Sequence, residues 1–117
     1  MTEKIRKIFD QEAEAIKGIP VTEKYIQVIN LIYEHVHTRG GKLVTSGMGK
    51  AGQIAANIAT TFSSTGTPSV FLHPSEAQHG DLGILQENDV LLAISNSGKT
   101  REILELIDLK NNLYPSI

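Results

Sequence analysis

The chain has 117 residues, 40% hydrophobic and 21% charged, with a formal net charge of −2. That suits one ordinary globular domain with a modest core and gives nucleic acid no basic surface to bind. Cysteine is absent, which excludes a disulfide framework, a thiolate metal site and a cysteine nucleophile.

The N-terminus mixes charges of both signs without a long apolar run, so it does not read as a secretory signal, and no stretch suits a membrane span. The expected location is the cytoplasm. Residues 2–17 place Ile5, Ile8, Phe9, Ala13 and Ile16 at helical spacing, and Gly18 and Pro20 stop that helix. A second helix is predicted over 22–38, N-capped by Thr22 and ended by Arg39-Gly40-Gly41. These two helices are expected either to cover their own sheet or to pack at an interface between chains. His35 and His37, near the helix end, are expected to face solvent.

The character then changes to α/β. Leu43-Val44-Thr45 is β-prone, 51–62 is a helix of small residues, 69–72 is a second strand, and 73–88 is polar and irregular with one helical turn near Glu76. The continuous apolar run 90–94 predicts a buried parallel strand, and 100–110 a helix with Ile103, Leu104, Ile107 and also Leu106 inward. Alternating strands and helices predict a three-layer αβα parallel sheet, with ligands beyond the carboxyl ends of the strands. Three strands are few for this architecture. The sequence is therefore expected to be a fragment, cut after the third strand and its helix, or to have its core completed by another chain.

Two glycine-containing loops fall at that edge. Gly47, Gly49 and Gly52 fit G-x-G-x-x-G, but the acidic residue of a dinucleotide site is missing after the second strand. Ser97-Gly98-Lys99-Thr100 imitates the end of a P-loop, yet Ala93 stands where its first glycine belongs. What remains is a cup of Ser95, Asn96, Ser97 and Thr100 at a helix N-terminus, suited to one phosphate monoester. The alternative makes Ser97 an ordinary N-cap and Ser95 and Asn96 turn formers. His73, Glu76 and His79 are weak metal candidates at loose spacing with no fourth ligand, so neither metal nor cofactor is expected.

Gly47-Met48-Gly49-Lys50-Ala51-Gly52, Ser64-Thr65-Gly66-Thr67-Pro68, His73-Pro74, Glu76-Ala77, His79-Gly80-Asp81-Leu82-Gly83 and Ala93-Ile94-Ser95-Asn96-Ser97-Gly98 occur in order. Together they resemble the SIS (sugar isomerase) domain of arabinose-5-phosphate isomerases, over roughly 40–110. The resemblance implies a flavodoxin-like fold and one SIS phosphosugar-binding domain over 1–117, with N-terminal helices in 1–38 and an α/β core in 42–117. It implies interconversion of arabinose 5-phosphate and ribulose 5-phosphate through an enediol, in the Kdo branch of lipopolysaccharide or capsule synthesis, by a homo-oligomer, dimer or tetramer. It places Gly49 and the serine cup on the phosphosugar. It makes Glu102 the candidate base, Lys50 the oxyanion stabiliser and His79 an acid/base or ring-opening group. Each has a plainer alternative: Glu102 complementing the helix dipole, Lys50 solvated, His79 a structural hydrogen-bonder. Lys99 stands where the family has an acidic residue and Arg101 where small residues are common. Their charge leaves room for a nucleotide-linked sugar as ligand. Further family active-site residues, a glutamate and a histidine, and a CBS domain pair lie outside these residues. The rival functions are a non-catalytic phosphosugar-sensing domain and an isomerase of another phosphosugar.

Overall fold

A computed structural model describes residues 1–113; Tyr114–Ile117, the last of the predicted core, lie outside the described residues. Helix α1 spans Thr2–Lys17 and α2 spans Glu23–Ile32, running on as a π-helical turn over Tyr33–Thr38. Then come β1 (Leu43–Gly47), α3 (Gly49–Ser64), β2 (Ser69–Phe71), α4 (Pro74–Ala77), a 3₁₀ turn (Asp81–Ile84), β3 (Val90–Ile94) and α5 (Arg101–Leu113). No helix among the described residues is long and apolar enough to cross a membrane.

The three strands form one parallel sheet in the order β2-β1-β3. The central strand is buried along its whole length, and its two flanking strands are half-buried. Helix α3 lies on one face, which it approaches closely through Gly52, Ala55 and Ala59. The Thr45 hydroxyl donates to the Ala55 carbonyl at 2.7 Å, so a polar residue in the middle of the sheet is satisfied. On the other face Val44, Leu72, Ala77, Leu85 and Leu106 form the core, bringing in α4, the 3₁₀ turn and α5. Leu72, Leu85 and Leu106 are fully buried, each stabilising the fold by about 1.5–3 kcal/mol. The αβα layering is that expected from the sequence.

The entry to β3 is stitched to the start of β1. Asp89, 1% exposed, accepts from the Lys42 and Gln86 backbone N–H groups at 2.8 Å each and pairs with Lys42 Nζ at 2.5 Å. Gly41 is required there: a Cβ on it would stand 2.2 Å from the Asn88 carbonyl oxygen.

Three expectations change, and one alternative is decided. His35 is half-buried, with Nδ1 3.2 Å from the Asn88 carbonyl, because the π register turns it toward the loop before β3. His37 is exposed as expected, and it touches Thr67 Oγ1 at 3.1 Å and packs on Tyr33. Leu104 is 46% exposed, since Ile103 and Leu106 already fill the inward face of α5. Residues 73–88 hold two four-residue helical turns where one was expected. Finally, α1 and α2 bury no residue and do not cover the sheet. The molecule accordingly measures 53 × 30 × 25 Å, with a radius of gyration of 16.6 Å. A compact chain of this length has roughly 13 Å.

Candidate functional site

The loops after β1 and β3 leave the sheet side by side. The two strands are hydrogen-bonded neighbours, with Gly47 in register with Ile94. Neighbouring strands lie about 4.8 Å apart, so the two loops begin within one strand spacing of each other. Each leads directly into a helix, and the N-termini of α3 and α5 both open on this edge. Unpaired N–H groups and the positive dipole ends therefore converge there.

Close packing forces the first loop. A Cβ on Gly52 would come 2.5 Å from the Gly47 carbonyl oxygen, and one on Gly47 would meet the Ala51 backbone at 2.8 Å. Gly49 opens α3 at φ +57°, where a side chain is strained. Met48 is the N-cap and supplies no side-chain cap bond, so the first N–H groups of α3 have no such partner from it. No acidic residue sits in the first turn of α3.

The second loop is held by its own hydroxyls. Ser95 Oγ lies 2.9 Å from Thr100 Oγ1 and accepts from the Gly98 N–H at 3.0 Å. Ser97 Oγ accepts from the Lys99 N–H at 3.0 Å. Gly98, at φ +67°, makes the reversal. A hydroxyl that accepts from the backbone keeps its own proton to donate, so this turn geometry and an anion are compatible. Ser95 and Thr100 are half-buried, whereas Asn96, Ser97, Gly98 and Lys99 are exposed.

The other sequence candidates fall around this edge unevenly. Glu102 is half-buried in the first turn of α5, beside the serine loop. Lys50 is exposed in the first turn of α3, and its side chain lines a hollow of about 570 Å³ along the outer face of that helix. His79 is exposed just before the turn at Gly80, φ +121°. His73 N-caps α4: its Nδ1 accepts from the Ser75 N–H at 3.2 Å, and its ring meets Phe71 edge-on. Among the described residues, His73, Glu76 and His79 do not gather into a metal-binding group. Arg101 Nε lies 3.4 Å from Glu105 on its own helix, an exposed pair of small energetic weight. Sequence reasoning missed Gln78, which hydrogen-bonds Glu105 and so ties the turn before His79 to α5.

The SIS domain model matches residues 38–113. The chain belongs to the SIS domain family. Similar relatives include the proteins named arabinose 5-phosphate isomerase KdsD of Yersinia pestis and of Escherichia coli strain K12. The first is 49% identical over 92 residues, 78% of this chain and 28% of the relative. The second is 50% identical over 93 residues, 79% of this chain and 28% of the relative.

Two solved structures share the arrangement of this SIS domain. One is a Bacteroides fragilis NCTC 9343 protein provisionally described as a phosphosugar isomerase involved in capsule formation. It superposes at a TM-score of 0.98 with 68% identity, over 100% of this chain and 61% of that one. The other is an Escherichia coli CFT073 protein in complex with arabinose 5-phosphate, at a TM-score of 0.82 and 39% identity, over 97% of this chain and 60% of that one. The chain thus spans little more than a quarter of these curated relatives and about three fifths of the two solved chains.

Proposed function

We propose that this SIS domain binds arabinose 5-phosphate and serves its interconversion with ribulose 5-phosphate. The observation that carries the reading is the convergence of two helix N-termini and the Ser95–Thr100 hydroxyl loop on one edge of the sheet. The identity to proteins named for that reaction, and a structural neighbour held in complex with arabinose 5-phosphate, support the choice of sugar.

In this reading the phosphate sits at the α5 N-terminus, on Ser95, Asn96, Ser97 and Thr100, with Gly49 allowing the sugar close to the first loop. The reaction shifts two protons: a base takes one from C2 of the open-chain aldose and returns it to C1, while the oxygen on C1 gains a proton and that on C2 loses one. Half-buried Glu102 is placed to be the base, since partial burial keeps a carboxylate less hydrated. Lys50 carries the positive charge that the developing enediolate needs. His79 exchanges protons with the sugar oxygens or opens the ring. The setting is a pathway that builds an acidic sugar for an outer-membrane or capsule polysaccharide.

Ser97→Ala should raise the dissociation constant for arabinose 5-phosphate roughly tenfold, the equivalent of about 1.4 kcal/mol, because a hydrogen bond to a charged group is lost. The same change should cost about 0.5–1 kcal/mol of stability, because the exposed turn before α5 loses the acceptor of its Lys99 N–H; Ser97 lies too far upstream to be the N-cap of that helix. Isothermal titration and a urea melt on the same preparation separate the two effects. Lost stability with unchanged affinity would reduce Ser97 to a turn former.

A further inference from the structure

Helix α4 spans only Pro74–Ala77, and His79 follows two positions past its end. A helix of one turn does not hold its own place; its neighbours must hold it. Three contacts do so. Ala77 is 3% exposed and packs with Leu106 of α5 in the core. Near the start of α4 the Ser75 hydroxyl points to Met48 Sδ, 3.9 Å away in the loop after β1. Just past its end the Gln78 side-chain amide donates to a carboxylate oxygen of Glu105 in α5. The short helix is therefore tied to the first site loop at one end and to the helix of the second at the other.

Glu105 does more than hold one amide. It is half-buried, and its two carboxylate oxygens are divided between partners: one accepts from Gln78 and the other lies 3.4 Å from Arg101 Nε. Arg101 stands four residues before Glu105 and Glu102 three, so the three side chains neighbour one another on α5. Arg101 thus steadies the carboxylate from its own helix, and the carboxylate steadies Gln78 across the gap. The residue after Gln78 is His79, whose N–H is bonded back to the Glu76 carbonyl at 2.9 Å. The contacts Arg101–Glu105–Gln78 therefore run from the turn of α5 that holds Glu102 to the residue beside His79.

We propose that Gln78 and Glu105 are positioning residues that fix His79 relative to Glu102. This rests on the isomerase reading, in which both groups act on one sugar. The apolar contact of Ala77 with Leu106 alone leaves α4 free to rock, and the side-chain clamp removes that freedom one residue from the imidazole. Two proton-transferring groups must stay in register, and a displacement of about 1 Å can cost a reaction about a hundredfold. Gln78 is exposed, so water competes for its bond, and losing the clamp loosens the turn without unfolding the core.

NMR relaxation of the backbone N–H groups tests the clamp without substrate. The His79 order parameter should be about 0.85 in wild type and fall below about 0.6 in Gln78→Ala and in Glu105→Ala. The Leu72 N–H, bonded to the Thr45 carbonyl at 2.8 Å inside the sheet, should stay rigid in all of them. A role in stability alone would lower the unfolding midpoint and leave His79 ordered. Glu105→Gln keeps an oxygen for the Gln78 amide and should stay closer to wild type than Glu105→Ala. The double variant Gln78→Ala/Glu105→Ala should be no worse than either single one, since each removes the same contact. In an actively isomerising assembly, kcat should fall roughly tenfold in Gln78→Ala with KM within about twofold of wild type, because the serine loop is untouched. An ordered His79 in both alanine variants, or additive effects in the double variant, would overturn the clamp. A loosened His79 with kcat unchanged would overturn its positioning role. Absence of turnover in wild type would count against the isomerase reading, while the order parameters would still decide the clamp.

Discussion

Glu102→Gln is expected to cut turnover of arabinose 5-phosphate by a factor of about 100 or more, the usual contribution of a positioned general base. The glutamine keeps the shape and half-buried position of the side chain in the first turn of α5 but cannot take a proton near neutral pH. Binding should change little, because the proposed phosphate position is on the serine loop and not on Glu102. The expected pattern is a collapse in kcat with a KM within a few-fold of wild type. The plainer role of Glu102 makes a different forecast. A carboxylate that only complements the α5 dipole contributes about 0.3–1 kcal/mol to stability. Its replacement would then lower the unfolding midpoint slightly and leave kcat nearly intact. Turnover in an actively isomerising assembly, set beside a urea melt, distinguishes the two.

Asp89→Ala is expected to destabilise the domain by about 3–5 kcal/mol, the range for removing one partner of a buried charged pair. The carboxylate is almost fully buried and serves three donors, two of them backbone N–H groups. Its loss leaves those groups unsatisfied and frees the turn that lays β3 against β1. Against a total of about 5–15 kcal/mol for a domain, that is a large fraction. Asp89→Asn, which keeps one acceptor oxygen but brings an amide against the donors, should fall between wild type and alanine. Urea unfolding midpoints at constant m-value check the series. A loss under about 1 kcal/mol for Asp89→Ala would show that other contacts hold this edge of the sheet.

The layered α/β architecture was legible because its signals are local. The apolar run 90–94 is what a strand covered on both faces needs, and the glycines at 47, 49 and 52 mark a close strand-to-helix turn. The serine loop was legible because four candidate donors precede one helix. The remainder depends on tertiary placement. The spacing of Ile5, Ile8 and Phe9 reveals an apolar face but not what lies against it, and none of the three is buried by the described residues. In α5, Ile103, Leu104, Leu106 and Ile107 span an arc of roughly 160° with Leu104 at its edge, so periodicity alone did not decide that Leu104 faces out. The π turn shifts His35 onto the Asn88 carbonyl, and a change of register of that kind leaves no mark in a pattern read at about 3.6 residues per turn. Elements of four residues, such as α4, are too short for periodicity to reveal.

The central claim is that this SIS domain handles arabinose 5-phosphate by enediol chemistry. Proton NMR of that sugar phosphate with the purified chain in D₂O tests it most directly. The account predicts the appearance of ribulose 5-phosphate together with loss of the C2 proton signal from the remaining aldose. Resonances of the sugar phosphate that neither convert, nor exchange, nor shift or broaden on addition of protein would contradict it and leave the serine loop as a turn held by its own hydroxyls.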